Sequence, residues 1–347
     1  MFPCDILNNL KQLKMAKNDE LSDDIVSDIK RVTAGAFTSW LNENSFTLPK
    51  GENLFTSLEQ ALKGGTIKIT NIIQGISELE ENSDKKIFLY QLKNYKQLIS
   101  EQGRILLQIK KAFGYTLSTD GLSRKKPGVG PTFIYLYIDN GTLKMKFSEM
   151  HYEREDDFVN EKFIKIPKIV NVFLLIELKT GFTQIRFDSA GQIHTHRNDD
   201  GSPSEVIFQN YYKDHFTKIF SEIIFQPFNL NGVANYISRN EKVRFLMRKN
   251  VTTVTDGAKQ TYSTAKRKTD VRLVKAYVGA AATDQEKAWI TEDISGYWLA
   301  THSAGELKRD LFMRLYRRDS EIIIQRGCLK KELDYGIKQI REIQKAV

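Results

Sequence analysis

The sequence predicts a mixed α+β protein: an N-terminal helical domain followed by antiparallel β-rich regions with packed helices. Three observations carry this expectation. Apolar residues recur at helical spacing through the first third of the chain, the period changes to two from Thr132 onward, and helical spacing returns at Leu333, Ile337, Ile340 and Ile343. With 347 residues, 41% of them hydrophobic and 27% charged, the chain has the composition of a globular protein of two or three domains.

The helical part opens with Ser22-Asp23-Asp24, an N-cap and acidic first turn, before Ile25, Ile29, Val32, Phe37, Trp40 and Leu41. A break at Leu48-Pro49-Lys50-Gly51 precedes a shorter amphipathic helix through Leu54, Phe55, Leu58 and Leu62, closed by Gly64-Gly65. TIKITNIIQGISELEEN is read as helix, and Asp84 to Phe113 as one long helix suited to internal packing or to a protein partner. The segment GLSRKKPGVGPT marks a boundary. It carries glycines and basic residues, but not the Lys-Ser/Thr after the last glycine that a phosphate-binding loop requires.

Beyond it, TFIYLYI, Asn140-Gly141 and TLKMKF form a β-hairpin with the turn dipeptide that favours positive φ. FIKIPKIVNVFLLIEL, a Lys-Thr-Gly turn, FTQIRFD and QIHTHRND continue an antiparallel meander, and SEVIFQNYYKDHFTKIFSEIIF reverts to helix. VRFLMRK and VRLVKAYV are expected as alternating strands flanking the polar DGAKQTYSTAKRKT, itself a projecting loop. A strand around Tyr297-Trp298-Leu299, a hairpin of LFMRLY and EIIIQ, and a terminal helix complete the chain. The expected organisation is a helical domain over 1–118, a linker over 119–131, a sheet with a packed helix over 132–240, and a basic β-rich region with a C-terminal helix over 241–347.

Charge is unevenly distributed. The stretch Glu241–Lys275 holds ten basic residues against three acidic ones, a net +7 of the chain's +9, whereas residues 1–240 contribute +1. Such clustering favours a polyanionic partner. The expectation is nucleic acid, DNA or RNA, bound through Arg244, Arg248, Lys249, Lys259, Lys266, Arg267, Lys268 and Arg272. The hydroxyls of Thr261, Tyr262, Ser263 and Thr264 would add phosphate hydrogen bonds. An adaptor that docks an acidic protein is an alternative use of the same charge.

Enzyme signatures are sparse, and the sequence favours a binding protein. Glu177-Leu178-Lys179 closes an apolar strand and resembles the Glu-x-Lys of metal-dependent nucleases. With Asp157 as a further carboxylate it defines a nuclease alternative that would use Mg or Mn. His194 and His196, two residues apart on a strand, are the candidate metal ligands of nitrogen type. Otherwise no cofactor is expected. No Gly-x-Ser-x-Gly occurs, and Cys4 and Cys328 lack a local histidine. Two distant cysteines, no leader pattern and no long apolar run predict a cytoplasmic protein without a membrane partner.

Overall fold

A computed structural model describes residues 21–96, 132–157, 162–188, 212–214, 216–217, 222–254, 257–266, 268–283, 289–324 and 327–347. Among the described residues, eleven antiparallel strands and the helices packed on them make the protein mixed α+β, with the N-terminal helices preceding the strands. The chain divides into two compact units. One contains the residues up to Glu81 and Gln91–Gln226; the other contains Asn82–Tyr90 and Pro227–Val347.

In the first unit, helix α1 (Asp23–Val32) starts at Ser22, whose hydroxyl accepts from the Ile25 amide. The single apolar run foreseen through Leu41 is broken at Thr33, which adopts φ 72° and caps α2 (Ala34–Glu43) through its side chain. Asn53 caps α3 (Leu54–Lys63) by accepting from the Phe55 and Thr56 amides. The ambiguous segment after Gly65 is indeed helical, as α4 (Ile69–Asn82). Gly75 of α4 faces α2 so closely that a Cβ there would stand 2.6 Å from the Trp40 ring. Only glycine allows that approach.

The long helix expected from Asp84 is corrected. Lys85–Lys93 is strand β1, in which Ile87, Phe88, Leu89 and Tyr90 are consecutively buried. A strand covered on both faces loses the alternation that identifies it, and its apolar run then mimics helical spacing. Residues 94–96 turn away from the strand, and residues 97–113 of that expected helix and 121–131 of the boundary segment lie outside the described residues. The hairpin around Asn140 and Gly141 is present, both at positive φ, joining β2 (Thr132–Asp139) to β3 (Thr142–Asp157). β4 (Lys162–Glu177) and β5 (Phe182–Asp188) follow, and the strand order in this unit is β2-β3-β4-β5. Of the next expected helix, 212–214 and 216–217 are helical, whereas Ile224–Pro227 is β6, which pairs with β1.

In the second unit the order is β1-β11-β10-β9-β7-β8. β7 (Phe245–Thr253) and β8 (Lys259–Ser263) form a hairpin, followed by β9 (Ile290–Trp298), β10 (Leu311–Tyr316) and β11 (Glu321–Ile324). Three helices accompany them: α5 (Asn231–Asn240), α6 (Lys275–Thr283) and the terminal α7 (Lys330–Ala346). Phe245, Met247, Trp298, Leu311, Met313 and Ile324 are buried on one sheet face, together with Leu333, Ile337 and Ile340 of α7. Gly336 of α7 brings its backbone against Met313 and Leu311. Burying an apolar side chain of this size contributes about 1.5–3 kcal/mol, so this face anchors the unit. The alternate residues of the same strands point the other way.

Candidate nucleic-acid interface

The basic segment begins as expected and then departs from expectation. VRFLMRK enters β7, but the second alternating run is not a strand: Val271–Leu273 is a 3-10 turn and α6 starts at Lys275. The cause is Asp270, whose carboxylate accepts from the Arg272 backbone amide at 2.8 Å and starts a turn. The expected loop is also more ordered. Its first part is the hairpin tip, where the Val254 amide donates to the Ala258 carbonyl at 2.9 Å, and its middle is β8. Lys266 and Lys268 follow β8 in a turn closed by the Thr269 amide donating to the Lys266 carbonyl.

This geometry sorts the candidate residues by availability. Arg272 is buried, ion-paired with Asp270 at 2.6 Å, and donates to the carbonyls of Ile237, Ser238, Glu241 and Phe245. It joins α5 to β7, and its assignment to phosphate contact is corrected. Arg244 holds Glu241 at 2.5 Å and Gln339 at 2.9 Å; that carboxylate raises the guanidinium's pKa, against the opposing effect of burial. Arg248 donates to the Thr264 carbonyl at 2.7 Å, and Lys249 reaches Asp293 at 3.3 Å. Lys259, Lys266 and Lys268 are exposed, as are Lys242 and Lys275. None of these five is ion-paired among the described residues. Arg267 lies outside the described residues. Two of the segment's three acids, Glu241 and Asp270, are therefore occupied by Arg244 and Arg272, while these five lysines face solvent.

The hydroxyls divide by strand alternation. Thr261 and Ser263 are exposed, and Tyr262 turns to the other face, stacked on Trp289 at 5.7 Å and edge-on to Tyr277 at 5.1 Å. Tyr262 is thus a packing residue, and its expected phosphate contact is corrected. The face of β8 that carries Thr261 and Ser263 continues across the sheet through paired residues, whose side chains share a face, and on it Asp293 and Ser295 of β9 are buried. Ser263 pairs with Lys249, Lys249 with Ser295 and Ser295 with Arg314. Thr261 pairs with Val251, Val251 with Asp293 and Asp293 with Tyr316. Leu246 pairs with Tyr297, which pairs with Phe312. Asp293 grips Arg314 through two bonds of 3.0 and 2.6 Å, and the Arg314 guanidinium lies 4.2 Å from the Tyr316 ring centre. Tyr297 and Phe312 meet edge to face at 5.2 Å. All three aromatics are partly exposed. Nothing in the basic segment alone pointed to them. The signal was the spacing Phe312, Arg314, Tyr316, which places aromatic and cationic groups on one strand face.

The nuclease constellation does not assemble. β4 ends at Glu177, and Lys179 stands in the following turn instead of beside Glu177 on one strand face. The Glu177 carboxylate accepts from the Thr180 hydroxyl at 2.8 Å, closing that turn. Asp157 pairs with Lys162 at one end of the β3–β4 ladder, whereas Glu177 pairs with Thr142 at the other. Fifteen steps of about 3.3 Å separate them by roughly 50 Å. His194 and His196 lie outside the described residues, and among the described residues no three His, Cys, Asp or Glu side chains are grouped to hold a metal ion. The cavity lined by Phe147, Val172, Leu174, Ile185, Tyr212, Phe216 and Phe225 measures about 10 Å³, room for one water and not for an organic substrate.

The first unit holds a second set of cations that the sequence did not reveal. Lys144 and Lys146 of β3 and Arg186 of β5 share a buried sheet face. Lys146 meets Glu80 at 2.7 Å, Lys144 meets Glu81 at 3.0 Å, and Arg186 donates to Gln184 at 3.0 Å and lies 3.8 Å from Glu81. Burial alone would raise the pKa of Glu80. Lys146 and Arg31 outweigh it and hold the carboxylate below its ordinary range. These charges dock α4 onto the sheet.

The architecture is that of a mixed α+β protein with antiparallel sheets. No protein-family model matches the chain, and no curated protein matches it. Among the described residues, no helix is long and apolar enough to cross a membrane.

Proposed function

We propose that this is a nucleic-acid-binding protein, contacting phosphates through the second unit's sheet and the turn after β8. The observation that carries this reading is the separation of charge in the basic segment. Arg244, Arg248 and Arg272 are engaged by carboxylates and carbonyls of the protein itself, while Lys259, Lys266 and Lys268 remain exposed beside the Thr261 and Ser263 hydroxyls. Exposed ammonium groups at this density neutralise phosphates and release counterions, giving affinity that falls steeply with salt. Hydroxyls fix position on the backbone without reading base sequence. A cytoplasmic location accords with this reading.

The test is binding measured against salt, for the unaltered protein and for a variant with Lys266→Glu, Arg267→Glu and Lys268→Glu. Affinity should fall strongly in the variant. The slope of log affinity against log salt should become shallower by up to about 0.7–0.9 for each phosphate that is no longer neutralised. An unchanged slope, or no binding of any nucleic acid at low salt, would remove the assignment.

A further inference from the structure

We infer that the nucleic acid bound by this protein is single-stranded, with bases stacked on Tyr297 and on the Arg314 guanidinium that Tyr316 backs in the second unit's sheet. The inference rests on the nucleic-acid reading above and adds the substrate class. Phosphate binding alone requires only the lysines at the β8 edge. It gives no role to the aromatic rings that lie on the same face, two and three strands further in.

The rings belong to the first and third of three successive rows of one face. Tyr297 and Phe312 form one row, Arg314, Ser295, Lys249 and Ser263 the next, and Tyr316, Asp293, Val251 and Thr261 the third. Successive rows are two residues apart along a strand, about 7 Å, and β10 lies three strand spacings, about 14 Å, from β8. A chain crossing from Arg314 or Tyr297 towards β8 thus passes from stacking surfaces to exposed cations within a few nucleotides. Asp293 fixes the Arg314 guanidinium over Tyr316, and a guanidinium held in this way offers a flat cationic surface of its own. Tyr297 is braced edge-on by Phe312, which orients its ring.

Bases present their faces to such rings only when unpaired and unstacked; in a duplex they are hidden between neighbouring pairs. Basic groups along a groove, combined with aromatic rings that accept any base, are the physical requirements of single-strand binding without sequence preference. The charge of the face agrees. Lys249, Lys259, Arg314 and the turn lysines outnumber the two acids of the face, Glu321, which pairs with Tyr316, and Asp293, which two of those cations already share.

The experiment uses the full chain and fluorescence anisotropy with three probes: a short oligothymidylate, an abasic strand of equal length, and a duplex of equal length. The expected order places oligothymidylate tightest. Replacing both tyrosines, Tyr297→Ala and Tyr316→Ala, should weaken oligothymidylate binding on the order of ten-fold or more per ring, leaving the abasic strand unaffected. Tyr297→Phe and Tyr316→Phe, which keep the rings, should restore full affinity and show that the loss is not unfolding. Equal affinity for all three probes, with no effect of the tyrosines, would overturn the stacking inference and leave phosphate binding standing. Binding of none of the three, or of an acidic peptide instead, would overturn both.

Discussion

The two units use alternating charged strands to opposite ends. In the first, β3 carries Lys144 and Lys146 between Leu143, Met145 and Phe147. In the second, β10 carries Arg314 between Met313 and Leu315. The local patterns are alike. What differs is what meets the polar face: Glu80 and Glu81 of α4 bury the cations of β3, whereas Arg314 keeps partial exposure beside Tyr316 and Asp293. A cation on a strand is therefore structural or available according to whether a helix brings it a desolvated carboxylate. Its own sequence neighbourhood does not decide.

The sharpest way to break this comparison is to remove one buried charge. Lys146→Met would leave Glu80 desolvated with only Arg31 to balance it. Urea unfolding should report a loss of about 3–5 kcal/mol, the scale for an orphaned buried ion. A loss below about 1 kcal/mol would place the pair on the footing of a surface bridge.

The next effect is on pH, and its sign differs between the units. The Glu80 carboxylate is held below its ordinary range, so its contribution is present above about 4.5 and is lost as pH falls through its lowered pKa. Burial raises Glu321 of β11 to about 7, against the attraction of Lys86. That group contributes most below about 4.5, and its contribution is lost as pH rises through about 7. Glu321→Gln should therefore stabilise the protein at pH 8, by about 1–3 kcal/mol, and change little at pH 4. Unfolding curves at the two pH values check this; equal effects at both would contradict it.

The smallest effect expected is Asp293→Asn. Its partners Arg314 and Lys249 are each about one-third exposed, at 31% and 33% of their side chains. Solvent screening therefore limits the stability loss to about 1 kcal/mol. Set beside Lys146→Met in the same urea titration, it measures the contrast between an open and a closed charged face.

Much of the fold was legible because its signals are local. Caps at Ser22, the Asn140-Gly141 turn, the β10–β11 hairpin and the terminal helix all stand where their residues place them. The misreadings arose where tertiary contact overrode pattern. β1 is buried on both faces and so lost its alternation, and Arg272 alternates correctly in sequence yet turns inward because Asp270 begins a turn and backbone carbonyls receive its guanidinium. Of the candidate interface, Lys259, Lys266 and Lys268 were legible as charge. Tyr297 and Tyr316 were not, because only the register of β9 and β10 carries them onto the face that β8 exposes.

The proposed interface would bring nucleic acid onto the second unit at β7–β10 and the turn after β8. Lysine acetylation read by mass spectrometry, with and without oligothymidylate, tests it most directly. Lys249, Lys259, Lys266 and Lys268 should be protected, while the exposed Lys63 of the first unit and Lys345 of α7 should be modified equally in both samples. Protection of Lys63 or Lys345 with none at Lys259, Lys266 and Lys268 would contradict the account.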